Sequence, residues 1–211
     1  MYIVPPHFLL EERLFHRLLP VISILMNKEL RYENFISRKL VKLFKLNMNK
    51  LNFSIDYEAY DHLKELNEAD QALCIKAEAA LSTSYSPYSN FKVATAVRLS
   101  NGVVVSGSNQ ENLAYPSGLC AERVALFTVG ATYPDAVIES MVITAHTANF
   151  KIEQPVTCCG ACLQVMAEFE RKQNKEIDIL FYCLDGQILK VKGVKSLLPF
   201  AFVEDRLAAN S

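Results

Sequence analysis

What the first fifty residues of this 211-residue chain lack sets the first limits. Their longest uncharged stretch, Leu18 to Asn27, is ten residues broken by Pro20, far short of the roughly 18 that a membrane-spanning helix needs. A secretory signal is missing too. Glu11 and Glu12 stand where a basic region belongs, and Asn27-Lys28-Glu29 offers no small-residue cleavage site. The expectation is a cytoplasmic protein with no membrane partner. After residue 50 there is no internal repeat and no low-complexity tract, which excludes solenoids and biased segments.

The composition that is present, 51% hydrophobic and 21% charged, is that of an ordinary globular chain with enough length for a core. Its near-neutral total hides an asymmetry. Residues 1–50 carry nine Lys/Arg and four Asp/Glu, so the remaining 13 and 19 leave residues 51–211 at −6. Residues 1–50 read as a basic extension, either a flexible arm or an upstream read-through with translation starting at Met26 or Met48. Residues 51–211 read as the working domain. An acidic body argues against nucleic acid, whose binding rests on Lys/Arg neutralising phosphates, and points to a small substrate.

Apolar Leu51, Phe53, Ile55, Tyr57 and Ala59 alternate with polar residues, the period of a half-buried edge strand. Asn67, followed by Glu68 and Asp70, reads as a helix cap with acidic residues in the first turn. That helix should stop before Ser86-Pro87. Two apolar runs, Phe91 to Leu99 and Val103 to Ser106, flank Asn101-Gly102, a strong hairpin signal. A helix from about Cys120 to Val129, a strand from Val137 to Ala145, a helix from Gly160 to Lys172 and strands Ile177 to Leu184 and Ile188 to Val191 follow. This alternation indicates an α/β layered domain. Asp185-Gly186 is too short for a parallel crossover, so the last two strands should be antiparallel and the sheet mixed.

The chemistry lies in the cysteines. Without a secretory signal, metal binding or catalysis is favoured over disulfides. Cys120-Ala121-Glu122-Arg123 opens one expected helix, and Cys159-Gly160-Ala161-Cys162 opens another 42 positions after Cys120. Cys-x-x-Cys at a helix start turns both sulfurs toward one point, where unpaired N–H groups and the positive helix end favour thiolate. Cys120 adds a third sulfur. Three protein ligands on zinc leave a fourth position for water, the open arrangement of a catalytic site. Glu122, two residues beyond Cys120, can reach that water without being a ligand and is the candidate general acid/base. Cys74 and Cys183 read as core thiols. None of the four histidines has ligand spacing to the cysteine pair.

From about Asn67 to Leu207 the sequence resembles zinc-dependent cytidine deaminases of the three-cysteine type. The likeness spans Tyr85-Ser86-Pro87-Tyr88-Ser89-Asn90-Phe91-Lys92-Val93, Asn109-Gln110-Glu111-Asn112, Tyr115-Pro116, both cysteine motifs and Leu197-Leu198-Pro199 with Phe202. It implies a three-layer α/β/α fold with a mixed, mostly parallel five-stranded sheet, to which the leading strand would add an N-terminal edge. It implies one zinc per subunit on Cys120, Cys159 and Cys162, with Glu122 shuttling protons and Arg123 offsetting the anionic thiolates. It also places Asn109 and Glu111 on the sugar hydroxyls, Phe91 against the base and the Ala121 backbone on the pyrimidine. Tyr115 and Phe202 would close the pocket of a neighbouring subunit in a homotetramer with shared active sites. The implied reaction is hydrolysis of cytidine and deoxycytidine to uridine and deoxyuridine, in pyrimidine salvage.

Two positions depart from the family pattern. Its usual proline before the Cys-x-x-Cys pair is Cys158, read as a bystander to the metal, and its usual arginine after the pair is Leu163. These leave two other readings open: a zinc deaminase acting on a related nucleoside or base, and a catalytically weakened zinc-binding paralogue. Cys-x-x-Cys alone would also suit a zinc knuckle or a redox site, but Cys-Ala-Glu-Arg upstream argues against the redox site, and no histidine is spaced to give the fourth ligand that a structural zinc would want.

Overall fold

The computed structural model of the protein describes residues 51–208, so the reading of residues 1–50 as a basic extension lies outside the described residues. In chain order come β1 (Tyr57–Tyr60), α1 (Glu68–Ala80), β2 (Phe91–Leu99), β3 (Val104–Ser108), α2 (Ala121–Thr132), β4 (Ile138–Thr147), α3 (Gly160–Gln173), β5 (Asp178–Tyr182), β6 (Ile188–Lys192) and a last helical turn at Asp205–Ala208. The strands form one sheet in the order β1-β6-β5-β4-β2-β3.

The sheet is mixed, as expected, and carries the extra N-terminal edge strand, but its balance is the reverse of the mostly parallel sheet anticipated. Only β4 and β5 pair in parallel; the other four pairings are antiparallel. The connections explain this. Asn101-Gly102, with Gly102 at φ +83°, and Asp185-Gly186 are too short for anything but hairpins, whereas β4 and β5 are joined through α3. The edge strand is also shorter than the alternation from Leu51 suggested. Leu51 and Phe53 stand 91% and 55% exposed; among the described residues no layer covers that face.

Side-chain alternation gives the sheet two apolar faces. Val97, Ile143, Ile179 and Phe181 point to one side and pack with Leu126 of α2 and Met166 of α3. Their neighbours Ala96, Val142 and Leu180 point to the other and pack with Leu73 and Ala77 of α1. Three layers result, α2 and α3 over one face and α1 over the other. The Asn67 side chain caps α1 by accepting from the Asp70 N–H at 2.9 Å.

A buried charge locks α1 to the sheet. Asp70, 1% exposed, pairs with Lys190 of β6 at 2.8 Å and Arg98 of β2 at 3.2 Å. Burial alone would raise its carboxyl; the hydrogen bond and charge of Lys190, the Asn67 amide and Arg98 outweigh it and hold the group below its ordinary value. A depressed carboxylate stabilises the fold above its unfolded pKa of about 3.9 and loses that contribution as pH falls through the folded value. Asp70→Asn is expected to cost about 2 kcal/mol at pH 7, since it strands two partly solvated cations. The difference from wild type should begin to narrow below about pH 4 and go on closing as pH falls through the depressed folded value, as urea midpoints followed from pH 7 to pH 2 would show; a constant difference over that range would remove the charge from the account.

Candidate active site

The path from sequence to site runs through strand direction. β3 and β4 both pair antiparallel to β2 between them, so they run the same way and leave the sheet at the same edge. The segments beyond them lead into α2 and α3. Cysteines 42 positions apart therefore begin two neighbouring helices side by side. Cys120 is the N-cap of α2 and Cys159 the N-cap of α3, both in extended conformation with no side-chain capping bond. Cys162 follows in the first turn of α3.

The three sulfurs lie within 4.8 Å of one another, and Cys159 Sγ is 3.5 Å from Cys162 Sγ. Tetrahedral zinc with Zn–S bonds of about 2.3 Å sets its sulfurs about 3.8 Å apart, so the donor set fits that ion with small adjustments. Arg123 Nη2 sits 3.7 Å from Cys120 Sγ. The Cys162 thiol donates toward Cys120 and, with burial opposing, it and Arg123 hold Cys120 well below the ordinary thiol value. Cys162 is pushed up correspondingly, by that same bond to Cys120 and by burial. One negative charge is thus already favoured on the trio.

Glu122, 4% exposed, lies in the first turn of α2 beside the sulfurs. Burial raises its carboxyl and the negative charge on Cys120 adds to that; its own backbone amide and the Cys158 and Cys162 thiols oppose by hydrogen bonding. Cys158 is outside the three-sulfur group but is not idle. It packs against the core near the Glu122 carboxylate, and burial followed by that carboxylate's charge pushes its thiol up. Nothing in the sequence pattern signals this proximity, because it joins residues on separate elements.

A cleft of ≈ 410 Å³ opens over these groups, lined by Val93, Asn109, Glu111, Tyr115, Cys120, Glu122, Arg123 and Cys159 among others. That volume suits a small organic molecule. A slightly larger hollow of ≈ 470 Å³ lies between α3 and residues 195–203 and contains none of this chemistry. In the cleft, Asn109 is nearly saturated. Its Oδ1 accepts from the Ser84 hydroxyl at 2.5 Å and the Val93 N–H at 2.8 Å, and its Nδ2 donates to the Phe91 carbonyl at 2.9 Å. One N–H remains. Glu111 Oε2 accepts from the Tyr88 N–H at 2.9 Å and the Ser89 N–H at 3.3 Å, and Oε1 accepts from the Ser89 hydroxyl. That hydroxyl above all lowers the Glu111 pKa, leaving an ionised group with one lone pair to spare. The cleft lining thus includes one unused donor and one unused acceptor.

Other expected site residues are more dispersed. Ala121 is fully buried between Cys120 and Glu122. The Phe91 ring stacks on Phe150 at 6.3 Å and 29°, an exposed loop residue that the motif reading passed over. Tyr115, 76% exposed, meets Tyr88 edge to face at 6.2 Å, and Phe202 is 72% exposed. Cys74 and Cys183 are buried in the body, as expected of core thiols. A further residue escaped notice: Gly107 of β3 lies directly under α2, where a Cβ would fall 2.7 Å from the Ala121 carbonyl oxygen. A glycine inside a strand is the available signal for such an approach.

Residues 67–175 match the family described as the cytidine and deoxycytidylate deaminase zinc-binding region. A cytidine deaminase of Halalkalibacterium halodurans is 36% identical over 135 residues, 64% of this chain and 95% of its own. One from Sporosarcina psychrophila is 35% identical over 140 residues, covering 65% and 94%. Among solved structures, a cytidine deaminase from Burkholderia pseudomallei matches with a TM-score of 0.54 at 35% identity, over 62% of this chain and 97% of that one.

Proposed function

The chain belongs to the cytidine and deoxycytidylate deaminase zinc-binding family, and on that premise we propose that it hydrolyses cytidine and deoxycytidine to uridine and deoxyuridine, releasing ammonia. The observation that carries the reading is the convergence of three sulfurs from two helix starts beside a buried carboxylate, in a cleft that Asn109 and Glu111 also line. When bound by Cys120, Cys159 and Cys162, zinc supplies a water of lowered pKa poised for attack.

The remaining steps belong to the chain's own side chains. Glu122 takes a proton from the attacking water and places it on ring nitrogen N3, which makes C4 electrophilic. The water oxygen bonds to C4; Glu122 then takes the proton of the resulting C4 hydroxyl and passes it to the amino nitrogen, so that the C4–N bond breaks, the C4 carbonyl forms and ammonia departs. The Ala121 backbone orients the pyrimidine, and Phe91 bounds the base. Asn109 donates its remaining N–H, and Glu111 offers its remaining lone pair, to the sugar hydroxyls. The Arg123 guanidinium balances the thiolates.

Tyr115 and Phe202 carry large exposed rings, and in this reading they complete the pocket of a neighbouring subunit in a homotetramer, so monomers are poor enzymes. The role is pyrimidine salvage in the cytoplasm; no helix among the described residues is long and apolar enough to cross a membrane. The basic residues before the catalytic body are read as an extension on their charge and their lack of any matching motif.

Loss of absorbance with cytidine, deoxycytidine and cytosine tests the proposal. Both nucleosides should turn over, with cytosine slower by at least about 30-fold because it forgoes the two sugar contacts. Equal rates for cytosine and cytidine would reassign the substrate to the free base. No turnover of any of the three would leave a zinc-binding module.

A further inference from the structure

We propose that Gln164 is a positioning residue that sets Phe202 for entry into the neighbouring subunit's cleft; this rests on the reading of Phe202 given above. Gln164 lies on α3 two residues beyond Cys162. Its Nε2 donates to the Phe202 carbonyl at 2.9 Å, and its Oε1 accepts from the Phe202 N–H at 2.8 Å. Both ends of one side-chain amide thus pair with the donor and acceptor of a single residue, as a strand partner would. That geometry fixes the peptide planes on either side of Phe202 and so the direction in which its ring leaves the backbone.

The segment needs such a hold. Leu197 and Leu198 are packed against the core, but from Pro199 to Glu204 the chain has no helix or strand, and Phe200 and Phe202 are 95% and 72% exposed. An aromatic ring that must enter a pocket loses less on binding when its backbone is already fixed. Only an amide of this length meets both requirements: a methionine has no polar end, and a glutamate would set a negative oxygen against the Phe202 carbonyl. Because α3 also carries Cys159 and Cys162, one rigid helix holds two sulfurs of its own site and the ring offered to its neighbour's.

Full-length, zinc-loaded Gln164→Met, Phe202→Ala and the double variant test this by kcat, KM for cytidine, zinc per subunit and mass in solution. Gln164→Met should raise KM about tenfold with kcat within about twofold of wild type, and leave zinc and mass unchanged. Phe202→Ala should raise KM at least as far, and the double variant no further, since the two act through one ring. Additive effects, or a fall in kcat with loss of zinc or of assembly mass, would overturn the proposal. If Phe202→Ala raises KM and Gln164→Met does not, Gln164 has no positioning role while Phe202 keeps its place. If Phe202→Ala leaves KM unchanged, the reading of Phe202 itself is overturned, and with it the role of Gln164.

Discussion

Glu122→Gln is expected to lower kcat/KM for cytidine by about 10²- to 10⁴-fold, the range for loss of a positioned general acid/base, while zinc stays at one per subunit. The substitution keeps the size and planarity of a side chain that is 4% exposed, so the packing around it has no reason to change. What disappears is the capacity to accept a proton from water and return it to N3 and to the leaving amine. Since the three-sulfur group does not include Glu122, metal content should not follow activity. Metal analysis beside the absorbance assay separates the cases. Activity within tenfold of wild type would remove Glu122 from the proton path, and zinc lost together with activity would make it part of the metal site.

Much of this site was legible in the chain because its chemistry is concentrated at two helix starts, and helix starts announce themselves through local spacing. Cys120-Ala121-Glu122-Arg123 and Cys159-Gly160-Ala161-Cys162 each carry their geometry within four residues, and Asn101-Gly102 and Asp185-Gly186 carry theirs within two. What resisted reading were relations between elements. Alternation from Leu51 onward shows that two faces differ, not whether anything covers one of them, so β1 forms over Tyr57–Tyr60 alone. The direction of β2 against β4 has no signature in either strand, and the antiparallel balance of the sheet emerges only from the assembled order. The same applies to Cys158 against Glu122, Phe150 on Phe91 and Gln164 on Phe202.

Gly107→Ala should show how closely the catalytic helix must lie on the sheet. In a strand, alanine ordinarily stabilises relative to glycine by about 0.5–1 kcal/mol, so strand propensity alone predicts a gain. The local geometry predicts the opposite. A Cβ at position 107 would lie 2.6 Å from the Ala125 nitrogen and 2.7 Å from the Ala121 carbonyl oxygen. Both are backbone atoms of α2, so no side chain can swing aside, and the helix itself must move outward by roughly 1 Å to restore ordinary van der Waals separation. That shift parts Ala125, Leu126 and Val129, all at most 1% exposed, from the sheet beneath them, at a cost of about 3 kcal/mol. It also carries Cys120 and Glu122 away from Cys159, Cys162 and Asn109, which stay with α3 and the sheet. A misplacement of about 1 Å between reacting groups can cost about 100-fold in rate. The expected result is therefore a lower urea midpoint together with a roughly 100-fold fall in kcat/KM, and weaker zinc retention as the third sulfur withdraws. A raised midpoint with activity intact would mean that α2 does not rest on β3 at this glycine, and that strand direction does not govern how Cys120 meets Cys159 and Cys162.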